Sequence, residues 1–191
     1  MVPVLEPRGT SLARGVSAGP DEDLEKIRLV LLGALNCART RVVIISPYFL
    51  PDAGLVSALN IAALRGVQVD IYLPSVSDLH LAKWASTAQL PLVLEYGCRV
   101  WLTPAPFWHT KVMLVDDAWA MIGSSNWDPR SLRLNFEFNV ECYDPALAGA
   151  IDALLKPGLA RATQVTLQKL DKRSFLVKLR DGLARLLAPY L

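Results

Sequence analysis

The chain has 191 residues, enough for one α/β domain with a real core, and its 52% hydrophobic and 20% charged content excludes a disordered chain. A formal net charge of +2 counts against a nucleic-acid binder, which normally carries a strong basic excess. Mean hydropathy is high at +0.31, yet no apolar run reaches the ~18 residues of a membrane span, and Met1 is not followed by the cationic-then-apolar pattern of a secretory signal. Cys37, Cys98 and Cys142 lack metal-ligand spacing and read as buried thiols in a reducing compartment.

The first twenty residues, with Pro3, Pro7, Gly9, Gly15, Gly19 and Pro20, read as a linker or lead-in strand. Pro20-Asp21-Glu22-Asp23 puts acidic residues where a helix macrodipole favours them, so a helix is predicted from there to about Thr40. Leu24, Ile27, Leu31, Leu32 and Leu35 would share its apolar face. Arg41-Val42-Val43-Ile44-Ile45-Ser46 has the near-continuous apolar character of a strand covered on both faces. Residues 53–65 read as a helix stopped by Gly66, and Val67 to Leu73 as a second buried strand. Leu79 to about Leu94 reads as helix interrupted at Pro91, and Val100 to Thr103 as a short strand. Strands then crowd together at Thr110–Val115, Ala118–Ile122 and Leu134–Tyr143. Asp144-Pro145 opens a helix, and another covers about Ser174–Ala188. This alternation predicts an α/β class domain built on a layered sheet. The expected division is a lead-in over residues 1–16, a catalytic domain over 17–158, and a basic amphipathic helical tail over 159–191.

The chemistry concentrates in Trp108-His109-Thr110-Lys111-Val112-Met113-Leu114-Val115-Asp116 and in Gly123-Ser124-Ser125-Asn126. Side chains alternate along a strand, so His109 and Lys111 are expected on one side. An imidazole beside a fixed cation suits phosphodiester substitution: a neutral ring nitrogen attacks phosphorus while positive charge steadies the phosphate oxygens. Asp116 has the opposite parity and sits at a turn with Asp117, in support of the site. Gly123 permits a tight backbone approach, and Ser124 and Asn126 offer hydrogen-bond donors to a phosphate. Glu137 is placed to accept the second ring N–H of a histidine and fix its tautomer. Taken singly, these are a structural histidine, a solvated lysine, an ordinary turn and a surface glutamate. Their joint spacing carries the signal.

In that spacing the chain resembles the phospholipase D superfamily, whose signature is His-x-Lys, four residues, Asp, six residues, then Gly-Gly/Ser-x-Asn. His109, Lys111, Asp116, Gly123, Ser124 and Asn126 match it throughout. The resemblance implies a phospholipase D-like layered α/β/α fold, with a mixed central sheet flanked by helices, and a catalytic set of His109, Lys111, Asp116 and Glu137. It makes His109 the nucleophile of a phosphohistidine intermediate, has Lys111, Ser124 and Asn126 hold the phosphate, and calls for no metal or cofactor. Ser46-Pro47-Tyr48-Phe49-Leu50-Pro51-Asp52 is similar to a loop of bacterial cardiolipin synthases, as are Leu73-Pro74 with Ser77-Asp78 and Trp84-Ala85, and the run from Asp128 to Glu137. This branch implies phosphatidyl transfer between phosphatidylglycerol molecules, with Tyr48, Phe49 and Trp108 as candidate substrate-pocket residues. Phospholipase D-type hydrolysis, a single-motif dimeric nuclease, and an inactive or partner-dependent half-domain are the alternatives.

The superfamily implies two such motifs facing each other, one His attacking and the other protonating the leaving oxygen. Besides His109 the chain has only His80, which lacks the His-x-Lys spacing and reads as a surface helix histidine. The resemblance thus covers a single HKD half. A homodimer through an isologous interface, or a separate N-terminal half, would supply the other. Nucleic acid is not the expected partner; a phospholipid substrate at the cytoplasmic side of a membrane is. Near the C-terminus, Phe175, Leu176, Leu179, Leu183, Leu186 and Leu187 form one helical stripe, with Lys172, Arg173, Lys178, Arg180 and Arg185 around it. Two readings stay open there: a helix lying on an anionic membrane surface, or a helix packed on its own domain with a solvated basic face.

Overall fold

The apolar run after Thr40 forms a strand whose successive residues enter two different cores, Val42 and Ile44 one, Val43 and Ile45 the other. A strand buried on both faces has no solvent side, which is why its sequence shows no alternation. The computed structural model describes residues 9–20 and 23–188, and this strand lies in the middle of its sheet. The strands are β1 (Leu12–Ala18), β2 (Arg41–Ile45), β3 (Gln68–Pro74), β4 (Arg99–Thr103), β5 (Val112–Val115), β6 (Trp119–Gly123), β7 (Glu137–Tyr143) and β8 (Thr163–Val165). They lie in the order β1-β7-β6-β5-β2-β3-β4-β8, with β2, β3 and β4 parallel and the other neighbours antiparallel. The helices are α1 (Lys26–Cys37), α2 (Ala53–Leu64), α3 (His80–Gln89), α4 (Pro91–Leu94), α5 (Pro129–Arg133), α6 (Pro145–Leu159), α7 (Leu167–Asp171) and α8 (Phe175–Leu186).

Helices α1, α2 and α4 bury Ile27, Leu31, Leu35, Leu55, Leu59 and Val93 in the larger core on one face of the sheet. Helix α6 closes the other face through Ala148, Leu155 and Leu159. The expected layered α/β architecture is therefore present. Asp52 and Asp144 cap α2 and α6 by accepting from the first free backbone N–H groups, each cap stabilising its helix by about 1 kcal/mol. Gly66, at φ +90°, lets the chain turn from α2 into β3, where a side chain would be strained.

Several boundaries differ from expectation. Helix α1 begins at Lys26 and leaves the helical region at Ala38, so Leu24 lies before it and is exposed; Asp21 and Glu22 lie outside the described residues, as do residues 1–8 of the expected lead-in. The one-turn α5 precedes β7 where a longer strand was expected, whereas the break at Pro91 is the expected one and divides the 79–94 helix into α3 and α4. The sheet crosses both expected domain boundaries. Strand β1 starts at Leu12 and pairs along its whole length with β7, while β8 pairs with β4 after residue 158. Cys98 and Cys142 are buried as expected, but Cys37, the last residue of α1, is exposed.

Candidate active site

Two loops at the C-terminal end of β2 and after β6 are stitched together and set the floor of the site. Ser46 Oγ donates to the Tyr48 carbonyl at 2.7 Å and accepts from Trp127 N at 3.3 Å. Trp127 N also donates to Tyr48 O, Leu50 N donates to Trp127 O, and the rings of Phe49 and Trp127 stack at 6.0 Å. These contacts give the Ser46–Asp52 and Asn126–Arg130 segments a shared structural purpose: each holds the other in place. Tyr48 is thereby fixed with its ring steeply inclined, at 77°, to that of His109, 6.4 Å away between centroids, and its hydroxyl donates to Asp78 at 2.6 Å. Phe107 completes a cluster of three rings, 5.8 Å from the imidazole and 6.4 Å from Tyr48.

His109 and Lys111 lie in the extended segment just before β5, whose first residue is Val112. Their side chains nevertheless meet as alternation predicts. Lys111 Nζ lies 3.1 Å from His109 Nδ1 and 3.2 Å from Nε2, and donates to the His109 carbonyl at 3.0 Å. A neutral imidazole offers one acceptor nitrogen, so only one of these ring contacts is a hydrogen bond at a time. His109 is exposed and Lys111 half-buried, an arrangement that leaves both able to meet one incoming phosphate. Burial lowers the Lys111 pKa below its ordinary value, against the opposing pull of Glu137, Asp128 and Asp78. Asp128 is 4% exposed; burial, with the neighbouring Glu137 charge, pushes its carboxyl up to about 6 even though it accepts from Ser131 N at 2.7 Å.

Tyr48, Asn126, Asp128, Arg130, Ser131 and Asn135 line a cleft of about 190 Å³. Asn126 is oriented there by donating to Ser131 Oγ at 3.1 Å, and its own Oδ1 is buried without a partner. Ser124 is exposed; its hydroxyl accepts from Phe138 N at 3.0 Å and so extends the β6–β7 ladder. Gly123 is required by close approach: a Cβ there would lie 2.1 Å from Asn139 Oδ1 and 2.5 Å from the Phe138 carbonyl. Among the described residues no group of three or more His, Cys, Asp or Glu is arranged to hold a metal ion.

Four sequence expectations change here. Asp116 stands at the far end of β5, in a left-handed conformation at φ +52°. It accepts from the backbone N–H groups of Arg39, Thr40 and Arg41 and from the Thr40 hydroxyl. It ties the α1–β2 turn to the β5–β6 turn and touches no reacting group. Glu137, the first residue of β7, is buried and accepts from Asn135 Nδ2 at 3.1 Å, and it makes no hydrogen bond to His109. Phe49 is buried against Trp127, not in a substrate pocket. Trp108 turns away from His109 and packs over Gly158 of α6, where a Cβ would sit 1.9 Å from the indole; alternation sends the neighbour of an active residue into the opposite layer. Asp78, Phe107 and Asp128 belong to the site and escaped sequence reasoning as functional residues. Asp78 and Asp128 stand inside the synthase-like segments, but nothing in their spacing says that they converge on Lys111. His80, on the first turn of α3, is exposed as expected and packs near Trp84.

A family model described as cardiolipin synthase, PLD-like domain, matches residues 31–156. Cardiolipin synthase 2 of Staphylococcus epidermidis is 35% identical over 189 residues, which cover 99% of this chain and 39% of that protein. A cardiolipin synthase of Staphylococcus aureus is 34% identical over the same span, covering 38% of its length. The chain therefore spans about two fifths of these relatives. In fold it is similar to a phospholipase D family member, Nuc, from Salmonella typhimurium, at TM-score 0.69 and 21% identity over 82% of this chain and 99% of that one. It is also similar to the phosphatidylserine synthase of Haemophilus influenzae, at TM-score 0.75 and 15% identity over 98% of this chain and 49% of that one. With the His109–Lys111 pair formed just before β5 and this likeness along nearly its whole length, the chain belongs to the cardiolipin synthase, PLD-like domain family of the phospholipase D superfamily.

Proposed function

We propose that the chain is one half of a phosphatidyltransferase of the cardiolipin synthase type, working at the cytoplasmic surface of a membrane. One His109 ring nitrogen attacks the phosphorus of a phosphatidylglycerol, and the P–O bond to glycerol breaks. The leaving oxygen takes a proton from the histidine of the second half and departs as glycerol. The free hydroxyl of a second phosphatidylglycerol then attacks the phosphohistidine, passing its proton back to that second histidine as the P–N bond breaks, which gives cardiolipin and returns His109. Lys111 and Asn126 steady the phosphate oxygens, with the Ser124 hydroxyl beside them.

The observation that carries this reading is the 3.1 Å pairing of His109 with Lys111 in a chain similar to cardiolipin synthases along nearly its whole length. Its half-site character is supported by the count of reactive groups. The site holds a single His-x-Lys pair, His109 and Lys111, and so offers one attacking ring and no second histidine to protonate the leaving oxygen. A second half bringing its own His-x-Lys, as a second copy of the chain or as a separate N-terminal piece, supplies that group.

Incubating the protein with labelled phosphatidylglycerol tests the reading. Cardiolipin and glycerol are expected. Phosphatidic acid as the dominant product assigns it instead to hydrolysis, and cleaved DNA or RNA without a lipid product assigns it to a nuclease. A partner-dependent half-domain is a second reading, favoured by the 39% coverage of relatives. It expects a monomer in size-exclusion chromatography that is inactive until a second half is added.

A further inference from the structure

Helix α8 faces the wrong way for its own amphipathicity. The residues it buries are Asp181, 1% exposed, and Ala184. Ala184 packs with Ala85 of α3, and Asp181 pairs with both Arg173 and Arg180. The Arg180 guanidinium also lies over the Trp84 ring at 4.2 Å. Together these contacts fix the rotation of the helix. Its stripe of Phe175, Leu176, Leu179, Leu183, Leu186 and Leu187 is turned outward, each residue between 46% and 76% exposed. At 100° per residue the stripe spans about 120° of the helix, centred roughly opposite the Asp181–Ala184 face. Neither sequence reading of this segment anticipated a helix that packs on its domain through its polar face.

We infer that this outward face of α8 docks the chain on an anionic lipid bilayer. Six large apolar side chains in one patch are more than a solvated surface helix carries without a partner. Charge chooses the partner. Lys178 and Arg185 flank one side of the stripe, while the acidic residues of the region are Asp181, buried against Arg173 and Arg180, and the exposed Asp171, which Lys178 meets at 3.7 Å. Leucines entering the acyl boundary with long cationic side chains reaching back to lipid phosphates is the geometry of an interfacial helix. The choice of a bilayer over a protein also rests on the lipid-transfer reading above.

Co-sedimentation of the full chain with vesicles, measured without turnover, tests this. Wild type is expected to bind phosphatidylglycerol-containing vesicles more tightly than pure phosphatidylcholine ones. The double variant Leu176→Ser/Leu183→Ser is expected to lose about tenfold or more in partitioning. Lys178→Glu/Arg185→Glu is expected to lose about tenfold of the preference for anionic vesicles and keep its weak binding to neutral ones. Circular dichroism should be unchanged in both, since the altered side chains are exposed. Variants that bind as wild type does, a wild type that ignores vesicles, or a vesicle-free dimer that the leucine changes dissolve each overturn the inference. A chain that docks through α8 yet makes no cardiolipin counts against the transfer reading alone.

Discussion

At one end of β5 the Lys111 ammonium reaches the His109 ring at 3.1 Å, and the imidazole is open to solvent. At the other end the Asp116 carboxylate is fully engaged, accepting from three consecutive backbone N–H groups and a hydroxyl. Five residues at about 3.4 Å each put the two ends roughly 17 Å apart. One sequence motif thus splits into a reactive end, with groups left free for a substrate, and an architectural end with nothing left to give. The difference teaches that residues fixed at set spacing need not share a task. An orphaned polar group is costly, so it is tolerated where chemistry needs it and saturated elsewhere.

The sharpest way to break this comparison is His109→Ala. Transfer should fall on the order of 10³-fold or more, about 4 kcal/mol of barrier, while the thermal midpoint stays put because the side chain is exposed. Retained turnover would remove the reactive end from the account. Gly123→Ala should come next. A methyl 2.1 Å from Asn139 Oδ1 and 2.5 Å from a backbone carbonyl has no flexible neighbour to displace, so a loss of about 3 kcal/mol is expected in urea unfolding.

Asp116→Asn examines the architectural end, and a cost of about 2 kcal/mol is expected, with activity per folded molecule unchanged. Burial opposes the Asp116 charge, but the N–H groups of Arg41, Thr40 and Arg39 and the Thr40 hydroxyl outweigh it and hold the carboxyl below its usual range. Folding therefore favours the charged form. That contribution is present above about pH 4 and is lost as pH falls through the lower folded value, so the variant's stability should vary less with pH in acid than wild type's. A steep loss of turnover at full stability would instead place Asp116 in the chemistry.

Asp128→Asn should have the smallest effect and the opposite sign. Its folded pKa, about 6, lies above the ordinary carboxylate value, chiefly through burial. Its protonated form is favoured by folding, so its stabilisation is present below about pH 4 and is lost as pH rises toward 6. Asparagine removes that buried charge and keeps an acceptor for Ser131 N. A gain of about 1 kcal/mol at pH 7, vanishing near pH 4, is expected from denaturant titrations. An inflection near pH 6 in wild-type turnover should weaken in the same variant.

Legibility followed the range of the interactions involved. β2 and β3 could be read directly, because burial on both faces leaves an apolar run, and Asp144-Pro145 announced α6 through local capping chemistry. β8 could not be read: three residues are a strand only because Val165 and its neighbours pair with β4. The residue types of the site were legible from spacing, whereas their partners were not. Ser124 leans on Phe138, Glu137 on Asn135, and Asp78 arrives at Tyr48 from a loop 30 residues away.

By itself the sequence determined the layered α/β class, the strands at the centre of the sheet and the reactive pair, because periodicity, capping and a two-residue alternation act over a few residues. The tertiary structure alone decided that Asp116 is a brace, that Trp108 and Phe49 are core, that Asp128 joins the site, and that α8 turns its leucines outward. Each of those depends on a surface that another part of the chain brings near, and such meetings leave no trace in local pattern.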